Sequence, residues 1–391
     1  MSIEEIDRIL GDAVQNGTVP GVAAVVAGPS DVYYRGAFGA ANASTGTPVA
    51  CDTILKVSSL TKAVTTAALM QLVERGLVTV DQPVASIIPS FGKIQVLEGF
   101  DGNVPKLRPP RTEVTISHLA THTSGLAYDI WSDKVRTYKS LAGAPTGIAG
   151  DQEALFSPMI FEPGTDWAYG PGIDWLGEII EIVAGQSVSD YLQEKIFAPL
   201  GMNDTSFFVS EDKRSRVAAV HTRDGDNSFS VIDFEWSKTP ATDRILSGHG
   251  LYSTLEDYTL FLQIFLNEGL GNGHQVLRPE TVRLMTQNRI GDVNMGVMKS
   301  TNPSLSCDAE FFPGMRKKHS LGFQITTEQW PGMRSAGSLS WAGLLNLFYW
   351  WDPVQKIAVT FATQLLPFQD KRVMELFGDF ERAVYKAPWV K

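Results

Sequence analysis

Val57-Ser58-Ser59-Leu60-Thr61-Lys62-Ala63-Val64 sets a hydroxyl and an amine, Ser59 and Lys62, at the head of an apolar run. In a helix that spacing puts both groups on one face. A serine hydroxyl is a poor nucleophile until its proton is taken, and a lysine takes it only when burial or nearby positive charge disfavours its ammonium. A helix N-terminus supplies positive potential, and its unpaired N–H groups can also bind the oxyanion formed when the serine attacks a carbonyl. The run therefore suggests a nucleophile, a base and half an oxyanion hole.

Ser210-Glu211-Asp212-Lys213 has the same spacing but reads as an exposed charged turn. Ser59 is instead followed by Ala63, Val64, Ala67, Ala68, Leu69, Met70, Leu72 and Val73, with Gly76 as a C-cap, the pattern of a helix set against a core. On local sequence alone, Ser59 as a simple N-cap and Lys62 as a solvated first-turn residue fit equally well.

The chain has 391 residues, 43% hydrophobic and 19% charged, which is enough for a large core in a soluble globular protein. A net charge of -10 argues against nucleic acid as a partner. Met1 to Leu10 is acidic and amphipathic, unlike a secretory signal, and Ser2 reads as the N-cap of a first helix. No stretch is long and apolar enough for a membrane span. Cys51 and Cys307, far apart, fit buried free thiols in a reducing cytoplasm.

Gly21–Gly28 and Val32–Gly39 read as strands, 79–111 as proline-rich loop, Val114–Ala120 as a helical restart and 173–200 as helix. Near the end, Leu344–Trp351 and Ile357–Thr363 read as strands around a turn, and Asp370–Tyr385 as a closing helix. Strands and helices at both ends predict an α+β fold: one antiparallel sheet built from the N- and C-terminal segments, flanked by helices, with a helical and irregular lobe inserted. The expected division is 1–85 with 176–391, and 86–175 as the smaller lobe bordering the site.

A serine–lysine pair needs a proton shuttle to the leaving group, and a tyrosine near a cation can serve. Tyr169, in Glu162-Pro163-Gly164-Thr165-Asp166-Trp167-Ala168-Tyr169-Gly170, is the candidate; alone, it would read as a packed loop residue. Further motifs follow in order: Thr121-His122-Thr123-Ser124-Gly125-Leu126, Gly248-His249-Gly250-Leu251-Tyr252-Ser253-Thr254 and Trp341-Ala342-Gly343. Together these resemble the serine β-lactamase-like superfamily, specifically the family VIII carboxylesterases that look like class C β-lactamases and penicillin-binding proteins. The chain is also similar to the related fungal acyltransferases that esterify statin precursors, notably at Val96 to Asp101, Tyr169-Gly170 with Asp174-Trp175, and Ala198-Pro199-Leu200-Gly201.

The resemblance implies a serine β-lactamase-like fold, Ser59 as acylated nucleophile, Lys62 as its base or the group tuning that base, and Tyr169 as proton relay. It puts Trp341-Ala342-Gly343 on an edge strand lining the site, with the backbone near Leu344 and the Ser59 N–H as oxyanion hole. Two departures favour a neutral ester over an anionic β-lactam: Tyr169-Gly170-Pro171 replaces Tyr-x-Asn, and the Lys-Thr-Gly lysine is missing near Ser340. Ala342 also adds a methyl group to the usual Trp-Gly-Gly. The implied activity is a serine carboxylesterase for short- to medium-chain esters, with acyl transfer to an alcohol as the alternative and β-lactamase or peptidase action below both. No cofactor and no metal are called for, and the partner is a small-molecule ester, with no nucleic acid and no membrane.

No Gly-x-Ser-x-Gly occurs, which disfavours an α/β-hydrolase elbow. His118 and His122 are expected to hydrogen-bond the loop bordering the site rather than bind a metal. Among the tryptophans, which include Trp236, some are expected to border an apolar acyl pocket, with Tyr128 and Trp131 first in line.

Overall fold

The computed structural model describes residues 3–145, 155–225, 228–234 and 245–390; Ser2 and Trp236 lie outside the described residues. Its main sheet has eight antiparallel strands, in the order Lys317–His319, Gln324–Thr326, Leu339–Gly343, Leu347–Asp352, Ile357–Ala362, Gly21–Ala27, Val32–Asn42 and Thr47–Pro48. The two ends of the chain meet inside it, with Ala23 opposite Ala362 and Ala27 opposite Ala358. This is the α+β architecture expected from the sequence.

Strand alternation decides what each face of the sheet covers. Phe348 and Trp350 turn toward the closing helix Lys371–Val384, where Phe348 stacks on Phe377 at 4.3 Å. Tyr349 and Trp351 turn the other way, onto Tyr258 and Phe265 of the helix Leu255–Leu266. Both faces are covered, which is why Leu347–Trp351 is apolar without interruption. The closing helix starts at Asp370, whose side chain accepts from Val373 N at 3.0 Å, and it buries Val373, Leu376, Phe377, Phe380 and Val384. It packs beside the first helix, Ile3–Gln15.

The helix Thr61–Glu74 is buried on all sides from Thr61 to Met70. It has no polar face because it has no solvent face. By contrast, the rival serine–lysine spacing lies on an exposed 3-10 turn, Glu211–Arg216, that buries none of its residues.

Four expectations are corrected. Leu344–Trp351 is not one strand: Leu339–Gly343 and Leu347–Asp352 pair as a hairpin, with Leu344 to Asn346 as its turn. Asn346 takes the left-handed conformation at φ 54 and its Nδ2 donates to Leu365 O and Pro367 O at 2.8 Å. Leu344 and Leu345 are buried, so the turn lacks the polar signature that usually marks one. Second, Leu339–Gly343 is an interior strand, although Gln324–Thr326 pairs only with Ser340 and Leu339 and leaves Trp341–Gly343 unpaired by that neighbour. Third, 79–111 is not loop throughout, since Val96–Asp101 and Val104–Arg108 form a hairpin turning at Gly102, φ 58, an Asp-Gly signal. Fourth, both cysteines are free, but Cys307 is exposed and Cys51 half-buried.

Candidate active site

Ser58–Leu60 forms a 3-10 turn that runs directly into Thr61–Glu74, so Ser59 stands at the helix head. The turn is fastened from three sides. Thr61 Oγ1 donates to Ser58 O at 2.6 Å and accepts from Leu251 N at 3.2 Å. Tyr258 Oη donates to Leu60 O at 2.8 Å. Ser58 is fully buried and sits at φ 52, a left-handed conformation that costs a non-glycine residue about 1–2 kcal/mol. Gly343 passes underneath: a Cβ there would stand 2.7 Å from Val57 O and 3.2 Å from Ser58 Cβ. Gly343→Ala is therefore expected to lift the serine turn, lowering stability by about 1–3 kcal/mol and kcat/KM by about 10². Thermal unfolding and ester kinetics test this, and a variant matching wild type in both would show that the close approach is not needed.

Lys62 is 2% exposed and its ammonium meets three acceptors. Nζ donates to Gly248 O at 2.7 Å, to Ser59 Oγ at 3.2 Å and to Tyr128 Oη at 3.2 Å. It also lies 5.2 Å from the Tyr128 ring centroid and 4.9 Å from that of Tyr169, over both aromatic faces. Gly248 is held in turn by Asp174, whose Oδ1 accepts from Gly248 N at 2.9 Å. Burial, with the charges of Asp174 and Tyr169 behind it, pushes the Tyr128 phenol well above its ordinary value.

The Tyr169 hydroxyl accepts from Trp341 Nε1 at 3.1 Å. Its ring packs edge-on against His122 at 4.8 Å. His122 is buried, and burial first, then His319 and Lys62, holds its imidazole well below the usual histidine range. Burial likewise lowers His319 to about 4. The wall behind Tyr169 is thus aromatic and uncharged at neutral pH.

Ser59, Trp131, Tyr169, Trp341, Ala342 and Leu344 line one narrow cleft, completed by Met298, Phe311 and Phe368. The residues expected at the site are therefore brought together, with two differences. Tyr128 stands behind the cleft wall with its hydroxyl on Lys62 instead of bordering an acyl pocket. Gly343 lies beneath the serine turn rather than in the lining. Of the two histidines expected to bond the bordering loop, His118 Nδ1 accepts from Thr115 N at 3.2 Å, closing a capping box. His122 Nδ1 has no partner and the ring serves as packing.

Sequence reasoning missed Gly248 and Asp174 as supports of Lys62, although both belong to stretches that stood out as motifs. It also missed Met298, Phe311 and Phe368, which come from irregular segments with no periodic or motif signal.

Comparison with known proteins gives the family and the fold. Residues 6–380 match the Beta-lactamase family. Monacolin J acid methylbutanoyltransferase of Aspergillus terreus is 32% identical over 350 residues, covering 86% of this chain and 83% of that protein. Lovastatin esterase of Penicillium rubens is 30% identical over 352 residues, covering 87% and 86% respectively. The unliganded structure of simvastatin synthase from Aspergillus terreus superposes with a TM-score of 0.83 at 27% identity, over 98% of both chains. With residues 6–380 matched and relatives of 30% identity or more spanning over four-fifths of both chains, the chain belongs to the β-lactamase family.

Proposed function

We propose that the protein is a serine carboxylesterase acting through a Ser59 acyl-enzyme. The observation that carries this reading is the buried Lys62 side chain, its Nζ within hydrogen-bond reach of Ser59 Oγ at the head of a helix. Ser59 Oγ attacks the ester carbonyl carbon as its proton passes to Lys62 Nζ, which enters the step as the neutral amine and hands the proton on through Tyr169. The oxyanion is met by the N–H groups of Ser59 and Leu344. As the C–O bond to the alcohol breaks, Tyr169 delivers the proton to the departing oxygen, and water then hydrolyses the acyl-enzyme. The aromatic and apolar lining of the cleft suits a neutral acyl group.

Transfer of the acyl group to an alcohol is the second reading, favoured by the methylbutanoyltransferase relative. The two share the acyl-enzyme and differ in which nucleophile reaches it. Reaction with p-nitrophenyl butyrate in the presence of a low concentration of competing alcohol separates them by product analysis. Free butyrate is expected to dominate; a new butyrate ester as the main product would replace hydrolysis with transfer.

A further inference from the structure

His122 is the strained point of the wall behind Tyr169. It is buried and takes the left-handed conformation at φ 59, which is unfavourable for any residue with a Cβ. Such a conformation persists only where the surroundings impose it. Here the two flanking threonines do so. The hydroxyls of Thr121 and Thr123 bond to each other at 2.8 Å, and Thr121 Oγ1 donates onward to Ser117 O at 2.8 Å. The same turn then carries the Tyr169 segment: Ala168 N donates to His122 O at 3.0 Å, and Gly164 N donates to Thr123 O at 2.8 Å.

The ring presented by this backbone meets both partners of one hydrogen bond. It packs edge-to-face with Tyr169 at 4.8 Å, and it lies nearly parallel to the Trp341 indole, 21° between planes and 6.2 Å between centroids. Tyr169 and Trp341 are the pair joined by the 3.1 Å bond from Nε1 to Oη. On its far side His122 meets His319 edge-on at 5.3 Å, and His319 is fixed in turn by Nδ1, which donates to Ser320 O at 2.6 Å. With rings before and behind it, His122 has little room to give way.

The chemistry of the imidazole does not account for its presence. Among the described residues Nδ1 meets no hydrogen-bond partner, and burial keeps the ring uncharged at neutral pH. Position 122 calls for a flat ring on a left-handed backbone. Histidine meets both demands, because it enters that region several times more often than most residues with a Cβ. We infer that His122 is a positioning residue for the reaction: its ring, and not its nitrogens, holds the Tyr169 hydroxyl where the departing alcohol oxygen can take its proton. This inference rests on the Ser59 acyl-enzyme reading and adds to it a residue that acts only through Tyr169.

The leaving group supplies the readout. Ethanol needs a proton in order to depart, whereas p-nitrophenolate departs without one. The ratio of kcat/KM for ethyl butyrate to that for p-nitrophenyl butyrate therefore reports proton delivery, and any loss of folded protein cancels from it. His122→Asn keeps a residue suited to the left-handed backbone and removes the ring. His122→Phe keeps a ring and removes the nitrogens.

His122→Asn is expected to lower the ratio at least about tenfold, as a displaced relay should, and His122→Phe to restore most of it. In a Tyr169→Phe background, His122→Asn is expected to lower the ratio no further, because the group it positions is already gone. Three results overturn the assignment: an unchanged ratio in His122→Asn, a ratio in His122→Phe as low as in His122→Asn, or a further fall in the Tyr169→Phe background. Failure of p-nitrophenyl butyrate to acylate Ser59 in the wild type, seen by intact-protein mass spectrometry, would instead remove the acyl-enzyme reading.

Discussion

Ser59→Ala is expected to lower ester turnover by on the order of 10⁵ or more while leaving the fold intact. The hydroxyl is the attacking group, and nothing else in the cleft can take its place: the other cleft hydroxyl, that of Tyr169, already accepts from Trp341. The structural cost is small. Ser59 is only partly buried, and its Oγ accepts from Lys62, which keeps Gly248 O and Tyr128 Oη as acceptors. Circular dichroism and thermal unfolding should therefore match wild type, and mass spectrometry should find no acyl adduct after reaction with an activated ester. Substantial residual esterase activity in a correctly folded Ser59→Ala protein would sink the mechanism.

Lys62→Ala and Tyr169→Phe are each expected to reduce kcat/KM by about 10³ or more, and the double variant by little beyond the worse single one. The two groups act on one proton path, so losing either leaves the other with nothing to relay. Their structural costs differ from that of Ser59. Removing Lys62 strips the charged donor from the buried Gly248 carbonyl and the Tyr128 hydroxyl. Tyr169→Phe leaves the indole N–H of Trp341 buried without its acceptor, worth about 1–3 kcal/mol of stability. The measurement is a double-mutant cycle in kcat/KM, each variant first checked for cooperative unfolding. Multiplying losses would make the two groups independent, and near-normal rates in Tyr169→Phe would take it out of the relay.

Tyr128 explains why local reasoning reached only part of this site. As an aromatic residue beside Trp131, it reads as pocket lining, and its burial and ring packing fit that description. Its hydroxyl is nevertheless aimed at an ammonium 66 residues earlier in the chain. Hydrogen-bond direction is a property of three-dimensional placement, and residue type leaves it open. His122 fails the opposite way: a polar residue in a site motif suggests a hydrogen bond, but the ring is used as a buried neutral surface against Tyr169. The hairpin turn Leu344 to Asn346 was hidden because its leucines are buried, removing the polarity by which turns are recognised.

The sequence by itself determined the features that rest on short-range periodicity and on the order of motifs. These are the helix with Ser59 at its head and Lys62 in its first turn, the closing helix, the strands at both ends that make one antiparallel sheet, and the β-lactamase family. Spacing of three or four residues fixes a helical face wherever the helix forms, so those features needed no long-range information. Only the tertiary structure decided the company Lys62 keeps, the closeness of Gly343 to the serine turn, and the gathering of Met298, Phe311 and Phe368 around the cleft. Each of these depends on the packing of segments far apart in the chain, where distance is set by the sum of many contacts and no local pattern records it.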